Sequence, residues 1–221
     1  MGRRQKYYGK LKDMKLYSTV MRASQTEQTI EKSKFICYIA PVSSKEEADL
    51  FIQEVRKKHK DATHNVPAMV IGDKMQIQWA SDDGEPQGTS GAPIVQMLVN
   101  MELTNVVVVV TRYFGGIKLG PGGLVRAYTS SAQMGIEKAG IGDVEEYEVI
   151  SYEIDYTYLQ KIQNLAGETF FVDKVDYLEK VCLDISFLPE DESKVFALLN
   201  DITKGTGNCK KTSKKLLTKE R

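Results

Sequence analysis

The sequence predicts an α+β protein of two domains: a larger N-terminal domain of mixed strands and helices, then a smaller ferredoxin-like βαββαβ domain. Three observations point there. Short β-branched or aromatic runs alternate with segments of helical periodicity along all 221 residues, a length that allows one large or two small domains at roughly 100–200 residues each. Near Gly140-Ile141-Gly142 the composition passes from charge balance to a strong acidic excess. Beyond it the elements run strand, helix, strand, strand, helix, strand, the ferredoxin-like order.

Phe35–Pro41 reads as a strand rich in aromatic and branched residues. Ser44 opens a helix, and Glu47 three residues on fits a capping box. Ala48, Phe51, Ile52 and Val55 recur at helical spacing, and Arg56, Lys57 and Lys58 fall where the helix dipole favours cations. Ala68–Ile71 and Met75–Trp79 read as a hairpin through Gly72-Asp73-Lys74. A helix from Pro93 to Leu103 follows the polar loop Ser81–Gly91. The five consecutive valines within Asn105–Arg112 suit a strand buried on both faces. The glycine-rich loop Gly115–Gly123 leads into a helix, Leu124–Lys138, which Gly140 stops. In the second domain the elements are Tyr147–Tyr156 (strand), Tyr158–Gly167 (helix), Phe170–Tyr177 and Val181–Leu188 (strands), Glu192–Ile202 (helix) and a short strand near Gly207. The expected organisation is a basic extension over 1–22, an N-terminal domain over 23–140, a ferredoxin-like domain over 141–209 and a basic tail over 210–221.

Composition narrows the function classes. The chain is 42% hydrophobic and 27% charged, which excludes a disordered chain, a collagen and a disulfide scaffold. The longest unbroken apolar run is six residues, Phe35–Ala40, against the about 20 that a membrane span needs. No membrane partner and no secretory leader are expected. Cys37, Cys182 and Cys209 form no C-x-x-C pair, and incidental thiols in a reduced, cytoplasmic protein are the simplest account. Thirty Lys and Arg balance thirty Asp and Glu, but unevenly. Residues 1–22 carry seven basic groups and one acid, 141–209 carry five and fifteen, and 210–221 carry six and one. The cationic ends read either as solvated tails or as weak contacts for nucleic acid.

Two loops concentrate the chemistry. Ser81–Gly91 packs Asp82, Asp83 and Glu85 among glycines and hydroxyls. It reads as a turn in which Thr89 or Ser90 caps the next helix, as a substrate or partner site, or as hard oxygens for a divalent cation, although its spacing does not fit an EF-hand. Thr111–Arg126 carries Gly115, Gly116, Gly120, Gly122 and Gly123 with Arg112, Lys118 and Arg126. Glycines admit a close ligand, helix N-termini favour anions, and the cations suit phosphate. Pro121 stands where a Walker A loop has Lys. The alternative is a structural loop for tight strand–helix packing. His59 and His64 straddle an expected helix end, which does not assure a shared face, and no third metal ligand is nearby.

The segments SDDGEPQGTSGAP (Ser81–Pro93) and NVVVVVTRYFGGIKLGPGGLVRAY (Asn105–Tyr128), with SKFICYIAPV (Ser33–Val42) and HKDATH (His59–His64), resemble the YigZ/IMPACT family. The resemblance implies an N-terminal α/β sandwich like elongation factor G domain IV and the GHMP kinases. It also implies a C-terminal ferredoxin-like domain akin to elongation factor G domain V. Eukaryotic relatives carry an extra partner-binding domain and regulate translation by competing for the activator of an initiation-factor kinase. No counterpart of that domain is expected here, so that circuit is not carried over. Val66 stands where the family usually has Cys, which weakens any thiol or metal role that would rest on that cysteine.

Three functions follow as expectations. The first is a non-catalytic, translation-linked binder of RNA, the ribosome or a translation-associated protein. It would use Arg112, Lys118 and Arg126 on phosphates and Tyr113 or Phe114 for stacking; no metal or cofactor is expected. The second is an enzyme on a phosphorylated or nucleotide substrate, with the acidic loop facing the glycine loop and His64 as base, although fold does not imply function. The third is a protein–protein adaptor using the same aromatic and Arg residues.

Overall fold

The computed structural model describes residues 15–167 and 169–221; the part of the expected basic extension before position 15 lies outside the described residues. Two compact units result: Lys15–Val144 with Thr218–Arg221, and Glu145–Leu217.

The first unit holds β1 (Lys15–Val20), β2 (Ser24–Ile30), β3 (Ser33–Pro41), α1 (Lys45–Lys58), β4 (His64–Ile71), β5 (Ile77–Ala80), α2 (Gly91–Asn100), β6 (Val106–Tyr113) and α3 (Gly120–Ala139). Its main sheet has the order β2-β3-β6-β4-β5 and is antiparallel at every pairing. The valine run forms the central strand β6. Side chains alternate along a strand. Val106, Val108 and Val110 pack with Ile94 and Leu98 of α2 and with Leu124, Tyr128, Ala132 and Ile136 of α3. Val107 and Val109 face the other way, onto Ala48, Ile52 and Val55 of α1. The sheet is thus a sandwich filling between helices, and none of the five valines of this run reaches water.

Local chemistry adjusts several boundaries. Ser44 accepts from the Glu47 N–H at 3.2 Å, but Glu47 answers one residue earlier than a capping box requires, accepting from the Ser43 N–H at 2.7 Å. The hairpin turn is longer than expected: the Met75 N–H bonds to the Gly72 carbonyl, and β5 starts only at Ile77. Helix α3 starts at Gly120 rather than Leu124, because Pro121 suits a first helical turn. Strand β2 gave no sequence signal, since SQTEQTI is polar, yet it pairs with β3 from Ser24↔Ile39 to Ile30↔Ser33.

Strand β7 (Ile141–Ile154) begins in the first unit and continues into the second, with α4 (Tyr156–Leu165), β8 (Phe171–Tyr177), β9 (Val181–Phe187), α5 (Glu192–Thr203) and β10 (Asn208–Glu220). The order β10-β7-β9-β8 is the ferredoxin-like one. Ile150, Tyr152 and Ile154 of β7 and Leu183, Ile185 and Phe187 of β9 pack with Ile162 of α4 and with Val195 and Leu199 of α5.

The described part of the basic extension, from Lys15, and the basic tail both include strands. Within residues 1–22, β1 is a strand whose Ser18 carbonyl accepts from the Thr104 N–H, and Lys15 lies 3.6 Å from Glu102. Residues 210–221 fall mostly in β10. There Lys214 lies 2.6 Å from Glu146 and 3.4 Å from Glu148, and Lys215 pairs with Asp173. Arg221, in the first unit, lies 3.1 Å from Asp143. Exposed pairs contribute little each; backbone pairing in the sheet orders the segment, and the charges give it a compatible neighbour. Among the described residues, no helix is long and apolar enough to cross a membrane.

Gly135 tests the packing of α3 on the sheet. A Cβ there would lie 2.6 Å from Cys37 Sγ. Alanine in a helix interior ordinarily stabilises by about 1 kcal/mol relative to glycine. Here Gly135→Ala is expected to destabilise by about 1–3 kcal/mol through overpacking, read as a lower denaturant midpoint at unchanged slope.

Candidate functional site

The two loops meet at Glu85. Arg112, near the end of β6, donates from Nη1 to Glu85 Oε1 at 2.7 Å, and both side chains are buried. Tyr128 of α3 donates its hydroxyl to the same oxygen at 2.7 Å. Burial and the Glu85 carboxylate push the Tyr128 phenol up, so it remains a donor. Arg112 Nη2 donates to Ser33 Oγ at 3.3 Å, which also accepts from the Gly115 N–H at 3.1 Å. The guanidinium carbon lies 5.4 Å from the ring centroids of Phe35 and Phe114, and the buried Nε has no partner. Arg112 is therefore not the free surface cation expected from sequence: a carboxylate as buried as Glu85 requires a counter-charge. Gly115 is also accounted for by packing, because a Cβ would overlap the Lys32 carbonyl.

The acidic loop distributes its carboxylates among three tasks. Asp82, not Thr89 or the Ser90 side chain, caps α2: Oδ1 accepts from Ser90 Oγ at 2.6 Å and the Gly91 N–H at 3.0 Å, and Oδ2 from the Gly88 N–H at 2.7 Å. Burial opposes its charge, but these bonds outweigh it and hold its carboxyl below the ordinary 3.8. Asp83 accepts from the Asn65 N–H at 2.6 Å and pairs with Arg56 at 3.0 Å. The turn at Asp83 (φ 48°) and Gly84 (φ 88°) aims the Asp83 carbonyl at His64 Nδ1, 2.8 Å away. A neutral His64 thus carries its proton on Nδ1 and its lone pair on Nε2, which lies 3.7 Å from Glu85 Oε2. Glu85 serves the buried pair.

His59 does not join His64. Its Nε2 meets the Tyr38 hydroxyl at 2.6 Å and its Nδ1 the Tyr113 hydroxyl at 2.8 Å. Burial, then the charges of Lys58 and Lys34, push its pKa down. Tyr113 is therefore engaged with His59, while Phe114 is 47% exposed.

A cleft of about 400 Å³ lies over the buried pair, bounded by Thr63, His64, Phe114, Lys118 and the Leu119–Pro121 start of α3. Leu119 is the N-cap residue and supplies no side-chain cap, so the first amides are left for other acceptors. Gly116 and Gly120 take φ of 88° and 68°, which only glycine adopts readily, and carry the loop around to the helix. Gly122 would leave open space around a Cβ, and Gly123 lies against Leu119. Lys118 also borders a neighbouring depression with Arg126. Among the described residues, neither Lys118 nor Arg126 makes a side-chain hydrogen bond or ion pair, and no cluster of three or more His, Cys, Asp or Glu side chains is arranged to hold a metal. Sequence reasoning passed over Tyr128 and Ser33. A tyrosine on the apolar face of α3 was the available signal, since a buried phenol needs a hydrogen-bond partner.

These features define a two-domain α+β protein whose N-terminal sandwich joins an acidic and a glycine-rich loop around a buried ion pair. Residues 31–136 match the family model described as the Impact N-terminal domain. The chain is 42% identical over 196 residues to the IMPACT family member YvyE of Bacillus subtilis, covering 88% of this chain and 90% of that one. It is 32% identical over 182 residues to YigZ of Escherichia coli, covering 81% and 89%. To Protein IMPACT of Mus musculus it is 37% identical over 98 residues, 42% of this chain and 30% of that protein. A crystal structure described as that of a hypothetical protein superposes with a TM-score of 0.58 at 30% identity, covering 87% of this chain and 95% of the other. The chain belongs to the IMPACT family.

Two outcomes follow from this geometry. Arg112→Ala leaves Glu85 buried without its counter-charge, and a loss of about 3–5 kcal/mol is expected, measured by denaturant unfolding. Asp82, with its folded pKa depressed, contributes stability that is present above its ordinary 3.8 and lost as pH falls through the lower folded value. Asp82→Asn is expected to be less stable at neutral pH, with a shallower loss of stability in that acid range, read from thermal midpoints across pH.

Proposed function

We propose that this protein binds single-stranded RNA in the context of translation, through the cleft at the start of α3. The carrying observation is the grouping of an exposed Phe114, an unpaired Lys118 and the uncapped start of α3 around one cleft. An exposed aromatic ring offers a stacking platform for a base. An unpaired lysine and free helix amides suit phosphate oxygens, and Arg126 extends the cationic surface beside them. Arg112 has a different role from the one its charge suggests: it supports Phe114 from below. IMPACT family membership supports the link to translation, through the regulatory role of the eukaryotic relatives.

A second reading has one specific observation behind it. His64, with its tautomer set by the Asp83 carbonyl, presents Nε2 beside Glu85 in the same cleft, which is the arrangement of a general base for a phosphorylated substrate. Turnover of a phosphate ester or nucleotide that His64→Ala abolishes would favour it over binding alone.

For the first reading, the Lys118→Ala/Arg126→Ala double variant is expected to bind RNA more weakly and to lower the log–log salt slope by about 1–2 units. Filter binding across a salt series checks this, and an unchanged slope and affinity would refute it. Phe114→Ala is expected to weaken binding by about 1–3 kcal/mol with little change in slope.

A further inference from the structure

We propose that the free edge of β8, in the second unit, is a self-association surface on which a second copy of this chain pairs antiparallel, β8 to β8, in a register centred on Val175. The proposal is independent of the RNA reading, because it uses no residue of the cleft. Strand β8 ends the sheet order: it pairs with β9 on one side and, among the described residues, with no strand on the other. Unpaired backbone groups along such an edge are a template for another strand. The edge is also uncovered, with Phe171 40% and Tyr177 63% exposed.

Charge order selects the partner and the register together. Charged residues usually blunt an edge against pairing, and β8 carries Asp173, Lys174 and Asp176. Asp173 is already paired with Lys215. A two-fold axis normal to the sheet keeps each side chain on its own face, and faces alternate along a strand, so the axis must pass through a residue. Centred on Lys174, the pairing sets lysine against lysine; centred on Asp176, it sets aspartate against aspartate. Like charges directly opposite are destabilising. Centred on Val175, Lys174 of each copy faces the partner's Asp176, and the central pair is valine on valine. Lys174 and Asp176 lie 2.7 Å apart within one strand with both side chains exposed, so the four charges alternate in sign around the axis. Centres before Lys174 meet the irregularity between Val172 and Lys174, and centres after Asp176 run off the strand end at Tyr177.

Shape supports the same register. Val175 packs towards the helices. Tyr177, two residues on, shares that face, with its ring stacked on Tyr156 of α4. Towards the other end of β8, a hollow of about 420 Å³ lies between the end of α4 and the strand, bounded by Gln163, Ala166, Gly167 and Val172. Pairing centred on Val175 sets the partner's Tyr177 opposite Asp173, beside this hollow, and symmetry makes the contact twice. An exposed phenol ring gains apolar cover there while its hydroxyl can still reach water.

Sedimentation equilibrium of the full chain tests this across about 5–300 μM, a range that spans the weak affinities of small interfaces. The average mass is expected to rise from one chain towards two. Lys174→Asp and Asp176→Lys each place like charges across the axis, and each is expected to weaken association about tenfold, because two pairs change from attraction to repulsion. The double variant Lys174→Asp/Asp176→Lys restores opposite pairs in reversed order and is expected to recover the association. Circular dichroism checks that each variant keeps its fold. A single-chain mass at every concentration overturns the proposal. A dimer that the single reversals leave intact overturns its placement on β8. A loss that the double variant does not recover overturns the register centred on Val175.

Discussion

The buried Glu85–Arg112 pair is the contact around which the first unit's surface is organised. One carboxylate oxygen accepts from a guanidinium on the central strand and from a phenol on the longest helix, so a loop, a sheet and a helix share one acceptor. Such a pair is weak as a source of net stability, because both charges lose water, but it is intolerant of losing either member. Its consequence is positional. With Glu85 held, the loop around it is fixed, the Asp83 carbonyl is presented to His64, and Arg112 supports the ring of Phe114. The cleft owes its shape to groups that do not themselves face a ligand.

The charge pattern has a similar logic. A formal net charge of zero is assembled from opposed blocks, and the structure lets much of the C-terminal block meet its opposite. Lysines of β10 lie along acidic residues of β7 and β8, and Arg221 meets Asp143. Lys118 and Arg126, which among the described residues make no side-chain hydrogen bond or ion pair, are grouped near a helix start where an anion is already favoured.

Much of the architecture was legible in the sequence because it depends on short-range patterns. The valine run, the helical spacing in α1 and the element order of the second unit each follow from periodicity that one strand or helix carries by itself. Strand β2, strand β1 and the length of β10, of which only a short strand near Gly207 was expected, were not legible. Their residues are polar, and they become strands because a neighbouring edge offers unpaired backbone groups. The cap of α2 is not legible either, because the residues next to the helix, Thr89 and Ser90, are not the ones that supply it. Asp82, several residues upstream, reaches the amides only after the loop has folded back.

The sequence by itself determined which residue types the two loops bring to the surface region, and that glycine and proline shape the start of α3. It did not determine which charges remain available. Arg112 and Lys118 carry the same formal charge and sit six residues apart, yet one is buried against a carboxylate and the other is exposed without a partner. Only the tertiary structure decided this, because the fate of a charge depends on the dielectric around it and on counter-charges brought from distant parts of the chain.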